Sequence, residues 1–164
     1  MITATQREEV YKILEGVADP EVPVLNILDL GVVRDVSLED EQLQVVITPT
    51  YTGCPAMDMI EVNIKAILQE HGYEKVQVRT VLSPAWTTDW LSESGKQKLL
   101  AYGIAPPQGK AKSKRALFSE EEGIGCPQCQ STNTEMISQF GSTACKAQYK
   151  CLDCEEPFDY FKCH

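Results

Sequence analysis

The sequence predicts an α+β protein in two parts: a small α-β-β-α-β-α domain, followed by a short β segment of too few residues to fold on a core alone. Three observations carry that expectation. Within residues 1–104, stretches of helical apolar spacing alternate with stretches of strand-like alternation. Six of the seven cysteines fall in the last 39 residues. Between the two parts, residues 105–125 combine Pro106-Pro107, Gly109, Gly123 and Gly125 with Lys110, Lys112, Lys114, Arg115 and three consecutive glutamates, which reads as a solvated linker. The expected divisions are therefore 1–104, 105–125 and 126–164.

Each element follows from local pattern. Thr5 and Glu8 fit a capping box, and Val10, Ile13, Leu14 and Val17 follow at helical spacing, so the first helix is expected over about 5–16. Val32–Leu38 and Leu43–Thr48 read as strands joined by the polar turn Glu39-Asp40-Glu41. Leu43, Val45 and Ile47 alternate as a half-buried strand requires. A second helix is expected over about 55–71, with Met59, Ile60, Ile64, Ile67 and Leu68 on its buried side and Gly72 as its stop. Val76, Val78 and Leu82 mark a third strand. Ser92 caps a last helix that runs to Tyr102 and ends at Gly103. No internal repeat or low-complexity segment is found.

Composition excludes several function classes. The 164 residues carry a net charge of −9, with 24 acidic against 15 basic side chains, which argues against a general nucleic-acid binder. The basic run Lys110–Arg115 reads as a tether, with an anionic partner as the alternative. No apolar stretch approaches the roughly 18 residues of a membrane span, and the N-terminus lacks the pattern of a signal peptide. The expected location is cytoplasmic, where paired cysteines more often bind metal than form disulfides.

Cys126-Pro127-Gln128-Cys129 and Cys151-Leu152-Asp153-Cys154 are two Cys-x-x-Cys pairs separated by 21 residues. Each pair can form a knuckle that aims two thiolates at one tetrahedral ion, as in a zinc ribbon. Ligation would supply the stability that so short a segment lacks. A structural zinc site is expected at Cys126, Cys129, Cys151 and Cys154, with an iron or [4Fe–4S] site on the same thiolates as the competitor. Cys145 and Cys163 remain over, as small buried side chains or as extra thiols for metal or redox chemistry.

Cys54 stands apart. Pro55 suits the first position of a helix, so Cys54 is expected at a helix N-terminus, where the dipole would lower its pKa. From spacing alone, a structural role is as good a reading as a functional one. Asp19-Pro20-Glu21 reads as a stiffened turn with an Asx hydrogen bond, or as a pair of hard metal ligands. Trp86 and Trp90 share a loop that either docks a partner or packs over the sheet end.

Together, Asp19-Pro20-Glu21, Asp29-Leu30-Gly31-Val32, Thr52-Gly53-Cys54-Pro55 and Pro84-Ala85-Trp86 resemble the small α+β domain of cytosolic iron–sulfur assembly factors. The run Phe140-Gly141-Ser142-Thr143-Ala144-Cys145-Lys146, with Cys151-x-x-Cys154 and Glu156–Cys163, resembles the PaaD family of the bacterial phenylacetyl-CoA epoxidase system. The resemblance covers essentially the whole chain. It implies a non-catalytic accessory factor of phenylacetate catabolism that assembles or delivers iron or iron–sulfur centres. Its partners would be epoxidase subunits, either the di-iron oxygenase or the reductase component, and a homodimer is a further option. It also implies that Cys54 is the reactive or transient cluster-binding thiol and that Asp19 and Glu21 form the acidic motif. A structural or electron-transfer subunit of the epoxidase is the alternative. The residues agree with a non-enzyme: there is no Glu-x-x-His pair for a di-iron bundle and no Gly-x-Gly-x-x-Gly loop.

Overall fold

The structure is a computed structural model, and it describes residues 1–51, 53–107, 124–143 and 145–161. The element order is α-β-β-α-β-α and then β strands, an α+β protein as expected. It forms two compact units, Met1–Trp86 and Thr87–His164.

In the first unit, α1 spans Ala4–Leu14 and buries Val10, Ile13 and Leu14. Its cap lies one pair earlier than expected. Thr3 Oγ1 accepts from the Gln6 N–H at 3.2 Å, and Gln6 Oε1 accepts from the Thr3 N–H at 3.0 Å. Thr3/Gln6 and Thr5/Glu8 have the same spacing; the earlier pair lengthens the helix without moving its buried face. Strand β1 (Val33–Glu39) pairs antiparallel with β2 (Gln42–Ile47). Asp40 and Glu41 join them with φ of 47° and 61°, the two left-handed positions of a type I′ turn. Leu43, Val45 and Ile47 point into the core, at most 1% exposed.

Helix α2 (Ala56–Glu70) then crosses to β3 (Val76–Thr80), which runs parallel to β2. The sheet order is β1-β2-β3. The buried stripe of α2 is Ala56, Ile60, Ile64 and Leu68, a strict i, i+4 row. Met59, expected on that side, is exposed, because it stands about 100° round the helix from Ile60. Gly72 stops the helix at φ 96°, with the Tyr73 N–H bonded back to the Leu68 carbonyl. Leu82 lies beyond β3 and is exposed, so the strand is shorter than expected.

The second unit begins with a short 3₁₀ turn at Thr88–Trp90. Ser92 caps α3 (Glu93–Tyr102) by accepting from the Gly95 N–H, and Gly103 ends it at φ 89°, both as expected. Strand β4 (Ile104–Ala105) runs parallel to β7 (Pro157–Phe161). Strands β5 (Thr134–Ser138) and β6 (Lys146–Cys151) complete a sheet ordered β4-β7-β6-β5. The compact units thus divide at Trp86/Thr87, not at 104: α3 packs on β4, and β4 is a strand of the C-terminal sheet. Ala105, expected to open the linker, is fully buried opposite Tyr160. Residues 108–123 of that linker lie outside the described residues. The second core gathers Ala105, Cys126, Ala147, Tyr149, Cys151 and Phe158, with Tyr149 stacked on Phe158 at 5.9 Å. Among the described residues, no helix is long and apolar enough to cross a membrane.

Candidate functional site

Two constellations carry chemistry. The first is in the C-terminal sheet, where the sulfurs of Cys126, Cys129, Cys151 and Cys154 all lie within 4.8 Å of one another. Cys126 Sγ is 3.7 Å from Cys154 Sγ, and Cys129 Sγ is 3.5 Å from Cys151 Sγ. Four sulfurs about 2.3 Å from a tetrahedral zinc ion stand about 3.8 Å apart, so the donor set and its spacing fit the ion.

The knuckles are built alike. The Gln128 N–H points to Cys126 Sγ at 3.4 Å and the Cys154 N–H to Cys151 Sγ at 3.5 Å. The residue after each second cysteine turns left-handed, Gln130 at φ 64° and Glu155 at φ 62°. Cys151 is held down to about 7, chiefly by the N–H of Cys154. Cys154 is pushed up to about 12: the Glu156 N–H favours its thiolate, but burial and bonds to the neighbouring thiols outweigh it. Four thiolates this close repel one another, and a divalent cation compensates that repulsion.

Sequence reasoning missed the clamp between the knuckles. Asp153 accepts from Ser131 Oγ and, at 3.0 Å, from Asn133 Nδ2. Those two bonds hold its carboxyl below the usual range. The signal was present in Asp153, which sits between two cysteines, but its partners lie 22 and 20 positions away. Cys145 is buried, with Thr143 Oγ1 3.0 Å from its sulfur, and is not one of the four grouped thiols. Cys163 lies outside the described residues.

The second constellation is in the first unit. The Asp19-Pro20-Glu21 turn adopts the Asx arrangement: Asp19 Oδ1 accepts from the Glu21 and Val22 N–H groups at 2.7 and 2.8 Å. Glu21 Oε1 accepts from the Tyr51 hydroxyl at 3.1 Å. Tyr51 in turn interacts with the side chain of Cys54, and both carboxylates act on that thiol. Residues 19, 21, 51 and 54 are thus brought to one place by the turn after α1 and the loop after β2.

Cys54 does precede α2, with Pro55 at the N-cap and the Ala56 N–H directed to its sulfur. Its acidity is nevertheless the reverse of the expectation. Burial raises the pKa, Asp19 and Glu21 raise it further, and the donors Ala56 and Tyr51 do not offset them. The tryptophan loop resolves towards packing at Trp86, which is 3% exposed and donates from Nε1 to the Leu30 carbonyl at 2.7 Å. That bond joins the Pro84-Ala85-Trp86 and Asp29-Leu30-Gly31-Val32 segments.

Known proteins match both parts in the same order. The iron-sulfur cluster assembly protein family matches residues 7–80, and the PaaD zinc beta ribbon domain family matches residues 110–162. A protein of Escherichia coli (strain K12), provisionally named as a subunit of 1,2-phenylacetyl-CoA epoxidase, is 46% identical over 162 residues, covering 99% of this chain and 96% of the relative. The Fe-S protein maturation auxiliary factor YitW of Bacillus subtilis (strain 168) is 35% identical over 100 residues, covering 60% of this chain and 94% of the relative. The crystal structure of a domain of unknown function, DUF59, from Bacillus anthracis is similar with a TM-score of 0.53 and 29% identity, over 57% of this chain and 90% of that one. An assembly-type domain followed by this ribbon, with likeness across the full length, makes the chain a member of the PaaD family.

Proposed function

We propose that this protein is an accessory factor of phenylacetate catabolism that holds iron or an iron–sulfur cluster transiently on Cys54 and passes it to a component of phenylacetyl-CoA epoxidase. The observation that carries the reading is the meeting of Asp19, Glu21, Tyr51 and Cys54 on the domain that resembles maturation factors. The carboxylates favour a cationic cargo beside the thiol, and an arriving metal displaces the thiol's proton. One cysteine cannot close a cluster's coordination shell, so a second Cys54 in a homodimer or a ligand of the client completes it. Delivery is ligand exchange: the bond from Cys54 to iron breaks, a bond to the client's ligand forms, and Cys54 regains a proton. No net oxidation is involved, and the protein needs no turnover chemistry of its own.

The ribbon has a separate task. Cys126, Cys129, Cys151 and Cys154 would hold zinc, which folds the unit and fixes a docking surface. A structural or electron-transfer subunit is the second reading. It is favoured by the tetrathiolate set, which suits iron as well as zinc, and by the subunit name of the Escherichia coli relative.

The deciding experiment measures the iron content of epoxidase subunits made in cells with and without this protein, then reconstitutes activity from fully metallated subunits. Iron-poor subunits in its absence, and full activity of metallated subunits without it, support delivery. Metallated subunits that stay inert until it is added stoichiometrically overturn delivery in favour of the second reading.

A further inference from the structure

Tyr51 has no assigned role, yet it reaches both halves of the Cys54 site. Its backbone belongs to the thiol's own loop, where its carbonyl accepts from the Cys54 N–H at 3.3 Å. Its side chain leaves that loop. The hydroxyl donates to Glu21 Oε1 at 3.1 Å, 30 positions earlier in the chain. Glu21 is fixed in turn, because its own N–H is tied to Asp19 Oδ1 at 2.7 Å.

We propose that Tyr51 is a positioning residue for Cys54: its phenol spans from the thiol's loop to the Asp19–Val22 turn and holds the sulfur at a set place beside the two carboxylates. The inference rests on the delivery reading for its purpose, though its geometry stands independently. A phenol suits the task because it is long and stiff, with two side-chain torsions and a single donor at its end. The loop it restrains contains Gly53 in the left-handed region at φ 79°. Serine or threonine could donate a hydrogen bond but could not reach as far. Phenylalanine keeps the reach and loses the bond.

The groups acting on the thiol are the Tyr51 hydroxyl, the Ala56 N–H, Glu21 and Asp19, so two substitutions separate a specific tether from general loosening. The test is the pH profile of Cys54 alkylation by iodoacetamide in the full chain, read peptide by peptide so that the other six thiols do not interfere. Once the thiolate forms, the phenol can turn its one proton from Glu21 to the sulfur, so Tyr51→Phe removes a donor available to the thiolate, and the midpoint should rise. Glu21→Gln keeps an oxygen for the phenol to donate to and removes a charge facing the sulfur, so its midpoint should fall. Opposite displacements, with hydrogen-exchange protection of β1–β3 retained, are not what a loosened loop produces. A Tyr51→Phe profile that overlays the parent, or moves down, overturns the proposal. If Tyr51→Phe does not fold, Glu21→Leu, which lacks the acceptor oxygen that Glu21→Gln keeps, replaces it: the Cys54 N–H should exchange faster in Glu21→Leu than in Glu21→Gln, and equal exchange overturns the proposal. Delivery fails separately: a Cys54→Ser chain that still loads iron into the client sinks that reading and leaves the alkylation result standing.

Discussion

Thr48 follows β2 directly and is 1% exposed, and its hydroxyl has no partner among the described residues. An unpaired buried hydroxyl is costly, so Thr48→Val, nearly the same shape, should stabilise the first unit by about 1 kcal/mol in denaturant unfolding. Unchanged or lower stability would mean that the hydroxyl is satisfied in solution. Cys54 is the opposite case, a group whose surroundings act strongly on it. Its thiol pKa is raised in the fold, mainly by burial. A raised acid contributes stability while it stays protonated, so that contribution is present at neutral pH and is lost as pH rises through the folded-state value. Stability of the parent should therefore fall more steeply on the alkaline side than that of Cys54→Ala, which thermal unfolding across pH would measure. The position of Cys54 was legible in Pro55 and the apolar row of α2. Its acidity was not, because Asp19 and Glu21 arrive from more than 30 positions away and no local pattern announces them.

Hairpins and knuckles show which elements a sequence can place. The β1–β2 connection was legible as a polar turn, but its type was not: Asp40 and Glu41 both adopt positive φ, where asparagine and glycine are preferred. Replacing the pair by Asn-Gly should stabilise the hairpin by up to about 1 kcal/mol, seen as a higher denaturant midpoint with unchanged slope. The start of α1 was misplaced for a similar reason, since two overlapping cap patterns differ only in how many helical bonds they permit. The knuckles were fully legible because metal chemistry dictates their spacing. What joins them was not. Asp153 links one knuckle through Ser131 and Asn133 to the short segment that follows the other. Asp153→Ala should leave all four ligands in place yet weaken metal retention by about tenfold, as loss of an outer-shell partner does. Competition with a colorimetric chelator would measure it, and unchanged retention would show that the clamp does not act on the site.

At the scale of the whole chain, the two units depend on different sources of stability, and this yields the most decisive prediction. The first unit buries a continuous apolar set from Val10 through Ile27, Ile47 and Ile64 to Trp86. That core suffices without help. The second unit places two of its grouped cysteines, Cys126 and Cys151, inside its own apolar cluster, so ligand and core are the same residues there. Taking the metal away would leave the buried thiols of Cys126 and Cys151 without their ion at the centre of that cluster. Chelation should therefore abolish hydrogen-exchange protection in β5, β6 and β7 while β1, β2 and β3 keep theirs. Mild acid should do the same by protonating the thiolates, since binding the ion requires all four to be ionised. Native mass spectrometry should count about one zinc per chain, lowered in Cys129→Ser. Protection of β6 that survives complete metal removal would show that the aromatic packing of Tyr149 on Phe158 and Tyr160 holds the sheet by itself. Collapse of protection in β2 on chelation would show that the first unit also draws its stability from the ion, contrary to the separation argued from its core.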